Sequence, residues 1–195
     1  MKSVLATLRL FRPVNLLLGA MMVTVTAALV DALNQTDLLM KGIFVVMSFT
    51  AAANAFNDYR DLETDKINRT NRPLPRGDLA PETALILSIL LFMIGAGISF
   101  TINTGAFILA AVVALPLMVV YSLWLKGTIL IGNMIVAVII GLSFVFAGAL
   151  FGELDRMIMP SLLAFGFTMV REFIKDMADA DGDRAAGFIT FPVKF

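Results

Sequence analysis

The sequence of 195 residues is 59% hydrophobic and only 15% charged, with a formal net charge of zero and a mean hydropathy of +0.89. That balance excludes an ordinary soluble domain and gives no electrostatic reason for a nucleic-acid partner. Without cysteine or histidine, disulfides, thiolate metal sites and imidazole chemistry are excluded too, so any catalysis falls to carboxylates, amides, hydroxyls, lysine and arginine.

The opening MKSVLATLRLFRPVN is basic but leads to no clear small-residue cleavage site. The first apolar run therefore reads as a retained membrane helix rather than a signal peptide. Uncharged runs place the spans. Residues 13–30 form the first, and 42–57 the second, entered near Leu38. Residues 83–125 carry no charge, enough for two spans of about 20 residues each, with Asn103, Thr104 and Gly105 as the turn between them. Residues 127–152 form a fifth span; 157–170, extended by Phe173 and Ile174, form a sixth. The second and sixth runs are the shortest, and each leads directly into acids. Such helices face a bundle interior or a water-filled cavity rather than lipid. The expected fold class is all-α: a polytopic transmembrane helical bundle in a single domain over residues 1–195. Six spans put the N-terminus, the 58–82 loop, the region of Lys126 and the C-terminus on one side. Every basic residue except Lys41 and Arg156 lies towards that side, and the positive-inside rule makes it cytoplasmic.

Two acid clusters share that face. Asp58, Asp61 and Asp65 are spaced D-x-x-D-x-x-x-D, and Asp176, Asp179 and Asp183 repeat the spacing. Steps of three and four keep side chains on one helical face, here within an arc of about 60°; Asn57 widens it to about 100°. Three carboxylates on one face repel unless a cation neutralises them. In a chain without nitrogen or sulfur ligands, oxygen donors select a hard ion, Mg²⁺ above all. Mg²⁺ binds through one or two carboxylates plus substrate phosphates. Lys66, Arg69, Arg72 and Arg76 follow the first cluster, and arginine suits bidentate phosphate binding. Acids for metal, bases for phosphate and a greasy bundle beneath imply a substrate with a diphosphate head and a long apolar tail. One such cluster alone reads equally as a solvated cap or a topology signal; two with identical spacing on one face favour a site. Asn15 fits either a cavity contact or a helix–helix hydrogen bond. Tyr121 and Trp124 fit an interfacial anchor as well as a site role.

These residues are similar to the UbiA-type family of intramembrane prenyltransferases. Its first motif, N-D-x-x-D-x-x-x-D, matches Asn57, Asp58, Asp61 and Asp65. Its second, D-x-x-x-D, matches Asp179 and Asp183, with Asp176 in the often-acidic position before them. INRTNRPLPRG resembles the family's basic, proline-containing continuation, RPVN its opening to the first helix, and YSLWLK with IGN the stretch after its fourth helix. The resemblance implies a helical bundle around a central cavity, with Mg²⁺ held by Asn57, Asp58, Asp61, Asp65, Asp176, Asp179 and Asp183. It implies Asp61, Asp65, Asp179 and Asp183 as catalytic, and Asn15, Asn57, Arg72, Tyr121, Lys126 and Lys175 as substrate-binding. The prenyl diphosphate ionises to an allylic cation, which a lipid or aromatic acceptor attacks. LFRPVN, the first acid stretch and REFIKDMADADGDRAAGFITFP look most like the branch that acts on geranylgeranylglyceryl phosphate; aromatic prenylation in quinone or chlorophyll synthesis is the alternative acceptor chemistry. Family members typically have nine transmembrane helices, so the resemblance also implies that the last three lie beyond this sequence.

Two rival classes remain. A CDP-alcohol phosphotransferase motif fails at Ala178 and Ala186 and leaves the first cluster unexplained. A cation-coupled transporter would favour ligands near the bilayer midplane, whereas these acids lie at helix ends on one face.

Overall fold

A computed structural model describes residues 2–185, 187 and 191–194, apart from Gly127, and gives the backbone alone at Lys2, Asp179, 181–183, Ala185 and Pro192. All regular structure among them is helical. Helix α1 (Lys2–Phe11) and α2 (Pro13–Leu29) are bent by 48° about Arg12. Then come α3 (Thr36–Arg60), α4 (Leu62–Asn68) and α5 (Pro81–Phe100). They are followed by α6 (Thr104–Leu125), α7 (Ile131–Phe151), α8 (Ile158–Ala185) and α9 (Phe191–Lys194). Five helices are long and apolar enough to cross a membrane, or six when α1 and α2 count as one span.

Local chemistry sets the helix ends. Pro13 and Pro81 begin α2 and α5, where a missing N–H costs nothing. Asn103 caps α6 by accepting from the Ala106 amide at 2.8 Å, and its own amide donates to the Ala149 carbonyl at 3.0 Å. Gly152 ends α7 with φ 76°, the left-handed geometry that favours glycine.

The spans differ from the uncharged runs in one instructive way. The second and sixth runs looked shortest, yet α3 and α8 have 25 and 28 residues and are the longest helices described. A charge-free run measures only the lipid-compatible part of a helix. Here each helix continues past that part, carrying its acids into the bundle's polar end.

Helix α3 is central. It packs chiefly on α5 and α2. Gly95 lets α5 approach so closely that an added Cβ would lie 2.5 Å from the Phe49 ring. The main core joins Val45, Phe49, Ala52, Phe92, Ala106, Ala110 and Phe146, with Phe49 and Phe92 edge to face at 5.5 Å. A second cluster, Ala6, Leu10, Ala55, Leu74, Leu79 and Ala84, fastens α1 and the 69–80 loop to α3 beside the acids. Helix α8 lies on α7 and presents Phe167, Met159, Leu162 and Met177 outward.

Candidate active site

The first acid stripe survives a break in its helix. Asp61 stands between α3 and α4 with φ −88° and ψ 2°. The Asp61 amide still donates to the Asn57 carbonyl at 2.9 Å, and the Asp65 amide to the Asp61 carbonyl at 2.7 Å. The helical register therefore carries through, and Asp58, Asp61 and Asp65 stay on one face. All three are buried, at 2%, 8% and 5% exposure. Carboxylates so buried need compensating charge, and three bases supply it from separate parts of the chain.

Arg12 donates to Asp58 at 2.5 Å. It sits at the α1–α2 bend in the left-handed region, φ 55° and ψ 77°, which costs a non-glycine residue about 1 kcal/mol or more. Pro13 after it and the Asn54 amide, which donates to the Phe11 carbonyl at 3.0 Å, hold the bend. Arg72 reaches both Asp58, at 3.1 Å, and Asp65, at 2.5 Å; Leu74, buried in the second cluster, anchors its loop. Lys126 donates to Asp61. Burial pushes the Asp65 carboxyl above its ordinary pKa; Arg72 opposes that shift, while Asp61 and Asp58 reinforce it.

The end of α6 joins the clusters. Tyr121–Leu125 is a turn of π-helix, a geometry that re-aims side chains and recurs at functional sites. From it the Ser122 hydroxyl donates to the Asn57 side chain. Tyr121 is half-buried, and the carboxylates acting on its hydroxyl are Glu172, Asp61 and Asp176. The turn thus packs against α3 and α7, within electrostatic reach of the acids of both clusters. On α8, Asp176 is 8% exposed and accepts from the Asn133 amide at 2.7 Å. Asp179 and Asp183 have helical backbone, but their side chains lie outside the described residues.

Further along α3 from the acids, α3, α6 and α7 line a small, partly open apolar pocket. Val45, Phe49, Met118 and Phe146 are among its walls.

The expected residues divide clearly. Asn57, Asp58, Asp61, Asp65, Arg72, Tyr121, Lys126 and Asp176 come together. Asn15 is exposed on the first turn of α2, and among the described residues no hydrogen bond from its side chain joins it to the cluster. Lys175 is half exposed and pairs with Glu172 on its own helix. Of the other bases after the first cluster, Lys66 pairs with exposed Glu63 and Arg76 with Asp78, while Arg69 is exposed; Arg72 reaches the buried acids Asp58 and Asp65. Sequence reasoning missed Arg12, Asn54, Ser122, Asn133 and Glu172 as site residues. Arg12 had a signal, since a base directly before a helix-starting proline sits at a fixed bend. Glu172 had another, lying one turn before Asp176 in the same stripe.

The donor set is oxygen-only, and Asp58 and Asp61 raise the proton affinity of buried Asp65, a repulsion that a hard cation relieves. Among the described residues, however, no three acids already surround one ion position; Arg12, Arg72 and Lys126 pair with these acids instead.

A family model described as the UbiA prenyltransferase family matches residues 20–195. The digeranylgeranylglyceryl phosphate synthase of Methanothermobacter thermautotrophicus is 38% identical over 187 residues, which is 95% of this chain and 65% of that protein. Its counterpart in Methanopyrus kandleri is 35% identical over 190 residues, 97% of this chain and 69% of that one. The chain thus spans about two thirds of the length of these curated relatives. A solved structure of a digeranylgeranylglyceryl phosphate synthase matches all of this chain and 70% of its own, with TM-score 0.85 and 28% identity. A UbiA homologue from Archaeoglobus fulgidus, solved with dimethylallyl diphosphate and Mg²⁺ bound to it, shares the fold with TM-score 0.69 at 20% identity, over 96% of this chain and 68% of that one.

Proposed function

Because the chain belongs to the UbiA prenyltransferase family, we propose that it contributes the diphosphate site of a Mg²⁺-dependent prenyltransferase acting within the membrane. The prenyl group is geranylgeranyl, and the acceptor is geranylgeranylglyceryl phosphate in ether-lipid synthesis; the identities of the named relatives support that choice. One observation carries the reading. Three bases from three parts of the chain converge on one buried acid face, at the end of the helix whose apolar part lines a pocket.

Asp58, Asp61 and Asp65, with Asn57, are the residues that would hold metal on one side; Asp176, Asp179 and Asp183 would hold it on the other. Bound Mg²⁺ would supply positive charge against the departing diphosphate. The chain's own bases do the rest. Without substrate, Arg12, Arg72 and Lys126 neutralise the carboxylates. With it, they turn to the phosphate oxygens, where arginine's forked donors are suited to bind. The leaving group takes the electron pair of the breaking C–O bond, and these fixed cations stabilise it. The apolar walls hold the tail and keep water from the allylic cation. The positive-inside bias supports a cytoplasmic placement of this face.

The test is an acceptor panel with labelled geranylgeranyl diphosphate and the membrane-reconstituted protein. The expected result is Mg²⁺-dependent transfer to geranylgeranylglyceryl phosphate with release of pyrophosphate. Transfer to hydroxybenzoate instead would replace the acceptor. Solute movement with no consumption of any prenyl diphosphate would overturn the enzyme reading.

A further inference from the structure

Glu172 lies outside both acid motifs, yet it is only 3% exposed. It sits one turn before Asp176, and helical geometry puts it in the middle of the arc of about 60° that holds Asp176, Asp179 and Asp183. Each of its oxygens has its own cation. Arg171 donates to one at 2.6 Å and Lys175 to the other at 2.9 Å. Both bases are open to their surroundings, with side chains 73% and 45% exposed. Lys175 adjoins the acid stripe about 40° from Asp179, and Arg171 lies further round the helix.

The arrangement is a buried carboxylate bridging two outward cations. Each cation has spent one donor on it: arginine has five and lysine three. Among the described residues, the remaining donors have no protein partner. The first cluster differs, because there Arg12, Arg72 and Lys126 meet the acids assigned to metal. A membrane-interface anchor also uses exposed arginine and lysine, but it has no need of a buried acid between them. Burying a carboxylate is costly unless it is paired, so the pairing holds both bases in one place. The bridge shares the helical face of Asp176, whose carboxylate accepts from Asn133, and so lies beside the second acid motif.

Two cation groups imply two anions. The diphosphate accounts for the first. A glyceryl phosphate acceptor brings a second phosphate, on the same three-carbon unit as the hydroxyl that reacts. We infer that Arg171 and Lys175, held by Glu172, bind the phosphate of the acceptor lipid. This rests on the acceptor proposed above. It makes the triad the element that separates phosphorylated from unphosphorylated acceptors, with Glu172 as a positioning residue.

The experiment compares geranylgeranylglyceryl phosphate with geranylgeranylglycerol, using labelled geranylgeranyl diphosphate and the membrane-reconstituted protein. The readout is the ratio of kcat/KM for the two acceptors. Lys175→Ala and Arg171→Ala should each lower that ratio about tenfold, the loss expected for one charge-assisted hydrogen bond. Lys175→Arg should recover most of it, and Glu172→Gln should lower it less than either. Both bases are exposed, so their variants should fold even where Glu172→Gln does not. If the protein transfers to the glyceryl acceptors but neither Lys175→Ala nor Arg171→Ala moves the ratio, the phosphate site is wrong and the enzyme reading stands. If the unaltered protein transfers to neither glyceryl acceptor, the acceptor assignment fails and takes this site with it.

Discussion

At the first acid cluster, Asp58, Asp61 and Asp65 take their bases from Arg12, Arg72 and Lys126, which belong to three separate segments. At the second, Glu172 takes both bases from its own helix, and Asp176 takes an amide from Asn133. The spacing of the acids is the same in both. The difference lies in what each cluster demands of the fold. The first is held by tertiary contacts and forms only when α1, the 69–80 loop and the end of α6 have all docked. Among the described residues, the charge pairs of the second are local to α8. Identical motif spacing therefore does not mean identical electrostatics, and the two halves should respond differently to mutation.

The largest expected effect tests whether the halves are one site. Asp61→Ala and Asp179→Ala should each reduce kcat about a thousandfold, as removal of EDTA-accessible metal should, because both act on the same developing charge. Full turnover in either variant would separate the clusters functionally. Next is Arg72→Ala. It removes the base from buried Asp65 and should destabilise the protein by about 3 kcal/mol, seen as a lower Tm in detergent. Adding Asp65→Asn should recover part of that loss, since a neutral amide needs no counter-charge. No recovery would mean that Arg72 matters for its loop rather than for the pair. The smallest effects separate the halves most finely. Lys126→Ala should raise KM for the prenyl diphosphate about tenfold, whereas Asn133→Ala, which removes a single amide from Asp176, should cost about 1 kcal/mol in kcat/KM. Equal losses in the two would erase the distinction between a base-saturated and an amide-held cluster.

Much of this was legible in the residues. Asn57, Asp58, Asp61 and Asp65 were visible because helical periodicity is local, and that spacing specifies a face whatever the helix packs against. Arg72 and Lys126 were singled out as substrate-binding, the first for following the acid cluster and the second through the family resemblance, and both lie against the acids. Arg12 was not, because its partner Asp58 lies 46 residues away and only the α1–α2 bend brings them together. Ser122 was hidden for a related reason: a π-turn, not an ordinary helical one, aims it at Asn57. Lys66 and Arg76 shared the composition of the phosphate-binding bases, but local partners claimed them.

The sequence by itself determined the membrane bundle, the oxygen-only chemistry and the two acid faces. Each follows from composition or from a periodicity of a few residues, and both are set before the chain folds. Only the tertiary structure decided which bases serve which acids, and that Glu172 belongs to the second stripe as a buried bridge. Those pairings depend on burial, which raises the cost of an unpaired charge. Burial is a property of how helices pack, not of the order in which residues are joined.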